Sequence, residues 1–397
     1  MIPLFLTLIP PHERSAFFPM NRTFDDLVCD KKFIHHVQMI FRQKAADFTA
    51  KHVLEIEVTN QCSIGCFYCG ATTETTTVHL DFDIACMAID RYAESRRSRS
   101  ITPHFSITGG DPVEYPRIKD LLTYLKERGV SFSMKLNPST LSESFYQMIA
   151  TSGCESVKLT FLGMHSQPRY RRKDTLDLIY QATQRFRHDR IPVVWHFSLG
   201  EFNREDLLDS LSFVVDSQAS AVSIGRLARV GRLNERNYPK DISPSSFREF
   251  LHHMLLFYYN HKRHGFNLMF KEKLWVPFLT EAGILSEDFL NEPGIRLGCD
   301  AKERLLVLTY AGDLLGCGLL PQPVLAEREG PGFVDALQAI HPKEQLREES
   351  PCTSCRFFHL CRGCRGVIGG TNKPDPQCWV AGNSSKPHRD PWGNPRP

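Results

Sequence analysis

The sequence predicts an α/β fold: six strand–helix units making an incomplete, parallel-stranded barrel, followed by a small cysteine-rich domain. Two observations carry this reading. Between Val53 and Lys262, short strand-like runs and amphipathic helical stretches succeed one another six times, and repeated right-handed crossovers of that kind require a parallel sheet with helices outside it. After about Gly265 the rhythm stops, and seven of the thirteen cysteines lie from Cys299 onward. The length of 397 residues also exceeds one average domain.

Taken in order, residues 1–50 hold one helix-like stretch, Asp25 to Lys44, with Leu27, Phe33, Ile34, Val37, Ile40 and Phe41 at helical spacing, read as a cap. Strand one is Val53 to Val58, and its helix runs from Asp81 to Arg96 with Ile84, Ala85, Ala88, Ile89 and Tyr92 on one face. The second strand, His104 to Thr108, leads to a helix through Ile118, Leu121, Leu122 and Leu125 that Gly129 stops. The third, Ser131 to Leu136, precedes a helix through Phe145, Met148 and Ile149 ending at Gly153. Strands four to six are Ser156 to Phe161, Pro192 to Leu199 and Ala221 to Arg226, with helices at 174–188, 205–217 and 244–262. Six strands leave one side of the barrel splayed open to a large substrate. Residues 266–298 read as a linker, 299–380 as the cysteine-rich domain, opening with a hairpin over 304–310 and 314–319, and 381–397 as a disordered tail rich in Pro, Asn, Ser and Gly.

Hydrophobic residues at 42% and charged residues at 23% describe an ordinary globular chain, and a net charge of +3 selects no partner. The basic runs Arg96-Arg97-Ser98-Arg99 and Arg169 to Lys173 lack aromatic platforms and read as solvated helix ends and loops, so no nucleic-acid partner is expected. The apolar start has no basic flank and prolines close it early, which fits neither a signal peptide nor a membrane span. Thirteen cysteines without an export signal point to metal binding in a reducing, cytoplasmic setting. Cys29, Cys86 and Cys154 belong to no motif and read as buried thiols; the scattered histidines, His165 and the pairs at 35–36 and 252–253, are assigned nothing.

Cys62-Ser-Ile-Gly-Cys66-Phe-Tyr68-Cys69 places three thiols in one loop at the carboxyl end of strand one, a common ligand position in α/β proteins. Three thiolates complete neither a tetrahedral zinc site nor a four-iron cubane, so one metal position is left for something other than protein. A zinc loop remains the alternative. The Cys-x3-Cys-x2-Cys spacing, with the lead-in Glu57-Val-Thr59-Asn60, closely resembles the signature of radical S-adenosylmethionine (radical SAM) enzymes. That resemblance implies a [4Fe-4S] cluster on Cys62, Cys66 and Cys69 whose open iron chelates S-adenosylmethionine. The cofactor's reductive cleavage would give a 5'-deoxyadenosyl radical that takes a hydrogen atom from the substrate.

Other segments carry the same resemblance. Thr108-Gly109-Gly110-Asp111-Pro112 is similar to the family's Gly-Gly-Glu-Pro segment, with a carboxylate one methylene shorter. Asn137, Thr160 and Gly163 match the segments ending strands three and four, while Leu162 departs from the family's Asp. Arg171 stands where the family often has a cofactor-binding arginine, with Arg169 and Arg172 as neighbours. Arg226-Leu-Ala-Arg229-Val-Gly231-Arg232 resembles a family loop expected to face the active site. The cofactor-binding set implied is Tyr68, Gly109, Gly110, Asp111, Asn137, Thr160 and Arg171.

At the end of the chain, Cys299-x12-Gly312-x4-Cys317, Cys352-x2-Cys355-x5-Cys361-x2-Cys364 and Cys378 look like a SPASM domain, which carries up to two auxiliary iron–sulfur clusters. The interleaving it implies puts Cys352, Cys355, Cys361 and Cys378 on one cluster. Cys299, Cys317 and Cys364 would hold the other, with Asp300, solvent or substrate as its fourth ligand. A zinc ribbon is the alternative. The resemblance covers about residues 53–378 and implies oxidative modification of a ribosomally made peptide, by cross-linking or desaturation. A ferredoxin- or flavodoxin-type protein would donate electrons, and a separate protein would recognise a leader peptide, because residues 1–50 look too short for that module. A dehydrogenase or decarboxylase acting on a tetrapyrrole or antibiotic precursor is the alternative, favoured by the Cys361-x2-Cys364 spacing. A zinc-binding interaction module is the non-enzymatic one.

Overall fold

The computed structural model describes residues 21–66, 68–69, 76–171, 176–228, 230, 241–262, 265–295, 297–328, 330, 332–339, 352–358, 360–361, 363–368 and 374–380. Expectations for the apolar start, Gly70, Arg172, Arg229, Gly231, Arg232 and the tail 381–397 lie outside these residues.

Six parallel strands form the centre: β1 (Lys51–Glu57), β2 (Thr102–Thr108), β3 (Ser131–Leu136), β4 (Cys154–Phe161), β5 (Val193–Leu199) and β6 (Ala221–Arg226). Each pairs with the next, and in β1, β3, β4 and the first part of β5 alternating burial fixes the two faces. In β1, Leu54 and Ile56 are buried against the outer helices while Glu55 and Glu57 face inward. In β3 and β4, Phe132, Met134, Val157 and Leu159 take the outer face and Lys135, Lys158 and Thr160 the inner one. The helices Phe82–Arg97, Ile118–Glu127 and Glu143–Ser152 cover the apolar side. Asp81 and Ser142 cap the first and third, accepting from the N–H of Ile84 at 3.1 Å and of Phe145 at 3.3 Å.

The sheet continues past both ends of the six. β7 (Leu268–Met269) pairs parallel with β6. Residues 266–298, expected as a linker, therefore carry a strand, and Trp275, Phe278 and Leu279 from this stretch are buried in the main core. At the other edge β8 (Leu305–Leu308) pairs parallel with β1, and β9 (Leu314–Cys317) and β10 (Leu320–Ala326) extend it antiparallel. One ten-stranded sheet results, in the order β10-β9-β8-β1-β2-β3-β4-β5-β6-β7.

The cap is two helices, Phe24–Cys29 and Lys31–Ala50, because Asp30 turns its carboxylate onto the N–H of Lys32 and Phe33 and starts the second. Leu27, Phe33, Val37 and Phe41 are buried, and Arg42 pairs with Glu292 at 2.7 Å. The helix expected over 205–217 breaks at Ser210, whose hydroxyl accepts from the Met164 N–H at 2.8 Å and donates to the Asp206 carbonyl at 2.5 Å.

Two further expectations are corrected. Arg96 is 1% exposed rather than solvated: with Arg99 it donates to the Gln338 carbonyl, at 2.9 and 3.0 Å, closing the helix Phe333–Gln338 onto the barrel. Cys29 is exposed, whereas Cys154 is buried as expected. Among the described residues no helix is long and apolar enough to cross a membrane.

Candidate functional site

The cysteine loop leaves β1 at the carboxyl end of the sheet and is fastened from several sides. Thr59 and Asn60 tie its base to the returning chain: the Val78 N–H donates to Asn60 Oδ1 at 2.8 Å, and Thr59 Oγ1 meets His79 Nδ1 at 2.8 Å. Glu114, just beyond β2, accepts from the Ser63 N–H at 2.7 Å. The N–H groups of Ile64 and Gly65 donate to the Cys62 sulfur, which favours its thiolate, while burial pushes its pKa up. Cys66 is buried, and Cys62 and Cys69 are half-buried.

Gly109 and Gly110 are required by this loop before any ligand is considered. The Gly110 N–H donates to the Thr59 carbonyl at 2.6 Å, and the Asp111 N–H to the Gln61 carbonyl at 2.7 Å. A Cβ on Gly110 would lie 2.2 Å from the Gln61 oxygen, and Gly109 has φ +137°. The end of β2 is thus bonded directly to the lead-in of the cysteine loop. Asp111 is fully buried, accepting from the Val113 N–H at 3.1 Å and the Thr140 hydroxyl at 2.8 Å; burial raises its pKa against these bonds.

A second chain of contacts runs behind the thiols. Arg171, 3% exposed, donates from Nη1 to the Tyr68 hydroxyl at 2.9 Å and from Nη2 to Asn137 Oδ1. The Tyr68 hydroxyl also hydrogen-bonds Cys66, so three of the residues expected at the cofactor form one relay onto a thiol. Burial holds the phenol well above its ordinary pKa, so it serves as a donor. Leu162, where the resemblance expects an acid, is fully buried against Cys66 and Tyr68. Thr160 lies on the inner face of β4, in register with His196 of β5. Gly163, at φ +110°, lets the Asp206 carboxylate cap the next turn through the N–H groups of His165 and Ser166.

The later cysteines gather as one trio and two pairs. Cys317 and Cys364 each lie within electrostatic range of Cys299, and Cys317 is also in range of Cys364; burial pushes the Cys317 thiol up to about 12. Cys352 lies beside Cys355, and Cys378 beside Cys361. The Asp300 carboxylate, a candidate fourth ligand, is instead held by Arg304 at 3.1 Å and lies 3.9 Å from Lys273, and these cations keep it far below the usual carboxylate range despite burial. Arg226 turns its guanidinium to Glu272 and to the segment that carries the last thiols. All five of its N–H donors are used: two on Glu272 at 2.7 and 2.9 Å, two on Asp375 at 2.5 and 2.8 Å, and a shared Nη1 on Gln377 at 2.6 Å. Asp375 also accepts from the Cys364 N–H at 3.1 Å, so β6 is pinned to the segment carrying the last thiols.

Among the described residues no three His, Cys, Asp or Glu side chains come close enough to hold a single ion. A zinc site needs sulfurs about 3.8 Å apart, from Zn–S bonds of about 2.3 Å. A cubane spreads its thiolates over a wider tetrahedron, because iron and sulfide lie between them; with three thiols in this loop, Cys62, Cys66 and Cys69, either group would take its fourth ligand from elsewhere. Glu114, Asp206 and the Arg226 network were not found from the sequence, which holds no motif for partners as far apart as Ser63 and Glu114 or Arg226 and Asp375.

Residues 56–214 match the Radical SAM superfamily. The AdoMet-dependent heme synthase of Methanosarcina barkeri (strain Fusaro / DSM 804) is 20% identical over 354 residues, 83% of this chain and 96% of the relative. Among solved structures, Streptococcus suis SuiB bound to its precursor peptide SuiA superposes with a TM-score of 0.63 at 15% identity, covering 87% of this chain and 78% of SuiB. The anSMEcpe structure with bound AdoMet and the Cp18Cys peptide gives 0.60 at 15%, covering 83% and 92%. At such identities the likeness is one of fold.

Proposed function

We propose that this chain is a radical SAM enzyme using S-adenosylmethionine and a [4Fe-4S] cluster, and that it oxidatively modifies a ribosomally made peptide, forming a cross-link or a double bond. What supports this is the placing of the later thiols: Cys299, Cys317 and Cys364 lie within electrostatic range of one another, Cys352 lies beside Cys355 and Cys361 beside Cys378, and we assign the two pairs together to one cluster and the trio to the other. Two auxiliary clusters there, in a SPASM arrangement over 299–380, suit a reaction that must remove a second electron from the substrate. SuiB and anSMEcpe, which share the fold, were both solved with peptides.

When bound, the cluster and its S-adenosylmethionine supply one-electron reductive cleavage and hydrogen-atom abstraction. The chain's own residues do the rest. Cys62, Cys66 and Cys69 would hold the cluster, leaving one iron to the cofactor. Tyr68, fixed by Arg171, donates to the Cys66 sulfur and stabilises its thiolate form. The Asp111 carboxylate is spent on Val113 and Thr140, so the carbonyls of Gly109 and Gly110 are the acceptors we assign to the cofactor ammonium. Leu162 keeps water from the inner side of Cys66. A ferredoxin- or flavodoxin-type protein supplies electrons and a separate protein presents the leader.

A second reading, a small-molecule enzyme of the tetrapyrrole type, is favoured by the similarity to a heme synthase along 83% of the chain. Anaerobic incubation of the reconstituted enzyme with a peptide encoded beside its gene separates the two. Loss of two hydrogen atoms' mass from the peptide supports the first; an unchanged peptide, beside a neighbourhood of small-molecule biosynthetic genes, overturns it.

A further inference from the structure

The inner face of the sheet is charged where a barrel core is ordinarily packed with branched apolar side chains. Glu55 and Glu57 project from β1, Lys135 from β3, Lys158 from β4 and His196 from β5, and none of them belongs to the cysteine loop or its supports. Register places Lys135 directly beside Lys158. Lys271 comes from the far edge, two residues past β7, yet lies within electrostatic range of both, so the three ammonium groups converge across the lumen. The lumen is open to water: the Lys135 side chain keeps 40% of its surface, and Lys271 is exposed.

Two of these cations, Lys158 and Lys271, are not matched from within. Lys135 is held by Glu55 at 2.8 Å. Glu57, its other acidic neighbour, is pushed up to about 7 by burial and by Glu55, so it carries only part of a charge at neutral pH. Asp300, in range of Lys271, is already taken by Arg304. Among the described residues the ammonium groups of Lys158 and Lys271 have no hydrogen-bond or ion-pair partner. Burial together with Lys271 and Lys135 pushes Lys158 well down, a cost that an arriving anion would remove. His196, seated over Gly225 and hydrogen-bonded to Ser223 at 3.0 Å, is likewise held neutral.

We propose that this lumen is the substrate's carboxylate site: Lys158 and Lys271, with the Lys135–Glu55 pair beside them, bind one or two carboxylates of the molecule that is modified. Lys158 precedes Thr160, and Lys135 precedes Asn137, by two residues, or about 6.6 Å along a strand. A substrate anchored by its acid group therefore points its far end toward the level of the cysteine loop. The inference rests on the enzyme acting inside its barrel. The same chemistry is offered by a small polycarboxylic acid and by an acidic peptide segment.

The test is binding by the full chain, anaerobically reconstituted, without turnover, so it reports on the lumen whether or not peptide modification is found. Protoporphyrin IX, with two free propionates, is compared with its dimethyl ester, and hexaglutamate with hexaglutamine. At least one acid is expected to bind tenfold or more tightly than its neutral partner, with a preference that falls as salt is added. The Lys158→Gln, Lys271→Gln double variant should lose that preference and the Lys158→Arg, Lys271→Arg pair should keep it. The porphyrin acid as winner assigns the site to a small molecule, hexaglutamate to a peptide. Equal binding of acid and neutral forms in both pairs overturns the proposal, as does a folded glutamine variant that retains the preference. Should the glutamine variant not fold, a wild-type preference insensitive to salt overturns it.

Discussion

Replacing Arg226 by Ala should loosen the cysteine-rich end from the barrel at a cost that can be worked from the contacts. The guanidinium makes five hydrogen bonds, four of them to two carboxylates, and the side chains of Arg226, Glu272 and Asp375 are 1%, 7% and 1% exposed. Truncation leaves both acids buried without their guanidinium, with only backbone N–H donors in hydrogen-bond reach, which costs about 3–5 kcal/mol. That is a large share of the ~5–15 kcal/mol that holds a domain folded. Arg226→Lys keeps the charge but has three donors for five acceptor contacts, and should cost ~1–3 kcal/mol. Burial raises the Asp375 pKa and Arg226 lowers it further, so the folded value is depressed. Its stabilisation is present above the unfolded pKa and lost as pH falls through the folded one, so the alanine deficit should narrow in acid. Anaerobic denaturant melts of the reconstituted protein, read with iron content, measure this. An Arg226→Ala variant within about 0.5 kcal/mol of wild type, with full iron, would refute the pinning of β6 to the last thiols.

Gly110→Ala sets a methyl group 2.2 Å from the Gln61 oxygen, so it should cost ~1–3 kcal/mol and lower iron loading on the first cluster; unchanged iron per chain counts against the direct bonding of the two segments. Arg171→Ala leaves the Tyr68 hydroxyl and Asn137 short of a donor. It should cost ~1–3 kcal/mol and shift the cluster's electron paramagnetic resonance signal, whereas an unaltered spectrum contradicts the relay. His104 is bonded by Ser131 and Ser133 at 2.6 and 3.0 Å and held down to about 4 by burial, then by Lys51, so it is neutral in the native state and its 3.5 Å approach to Glu155 is no ion pair at neutral pH. With its folded pKa below the unfolded value of about 6.5, stability is complete above that pH and is lost as pH falls toward 4, by ~1.4 kcal/mol per unit in that window. His104→Gln should flatten the curve by that slope; an identical curve would contradict it.

The six central strands were legible because β1, β3, β4 and β5 alternate buried and inward-facing residues over at least five positions, β2 and β6 are short runs between helical stretches, and several of the helices between them are amphipathic. β7 was not, since two residues carry no period. The hairpin over β8 and β9 was visible, but its docking on β1 depends on pairing across some 250 residues, as in Val53 with Leu305, which no local pattern encodes. In the site, the thiols and glycines stood out through their spacing. The reason for the glycines, room for the Thr59 and Gln61 carbonyls, became visible only when the chain folded back on itself. Arg226 was read as facing the active site because its sequence neighbours resemble such a loop, while its acidic partners lie 46 and 149 positions away. The inward lysines were each unremarkable in sequence. Only the curvature of the sheet brings Lys271 within range of Lys135 and Lys158.

The most direct test of the account compares wild-type chain with the Cys62→Ala, Cys66→Ala, Cys69→Ala variant, both purified and reconstituted without oxygen. On reduction with S-adenosylmethionine, wild type should release 5'-deoxyadenosine and methionine, and the variant should release neither while keeping the iron bound by its later cysteines. Cleavage of S-adenosylmethionine that survives the triple substitution would contradict the assignment of the loop between β1 and β2 as the place where the chemistry begins.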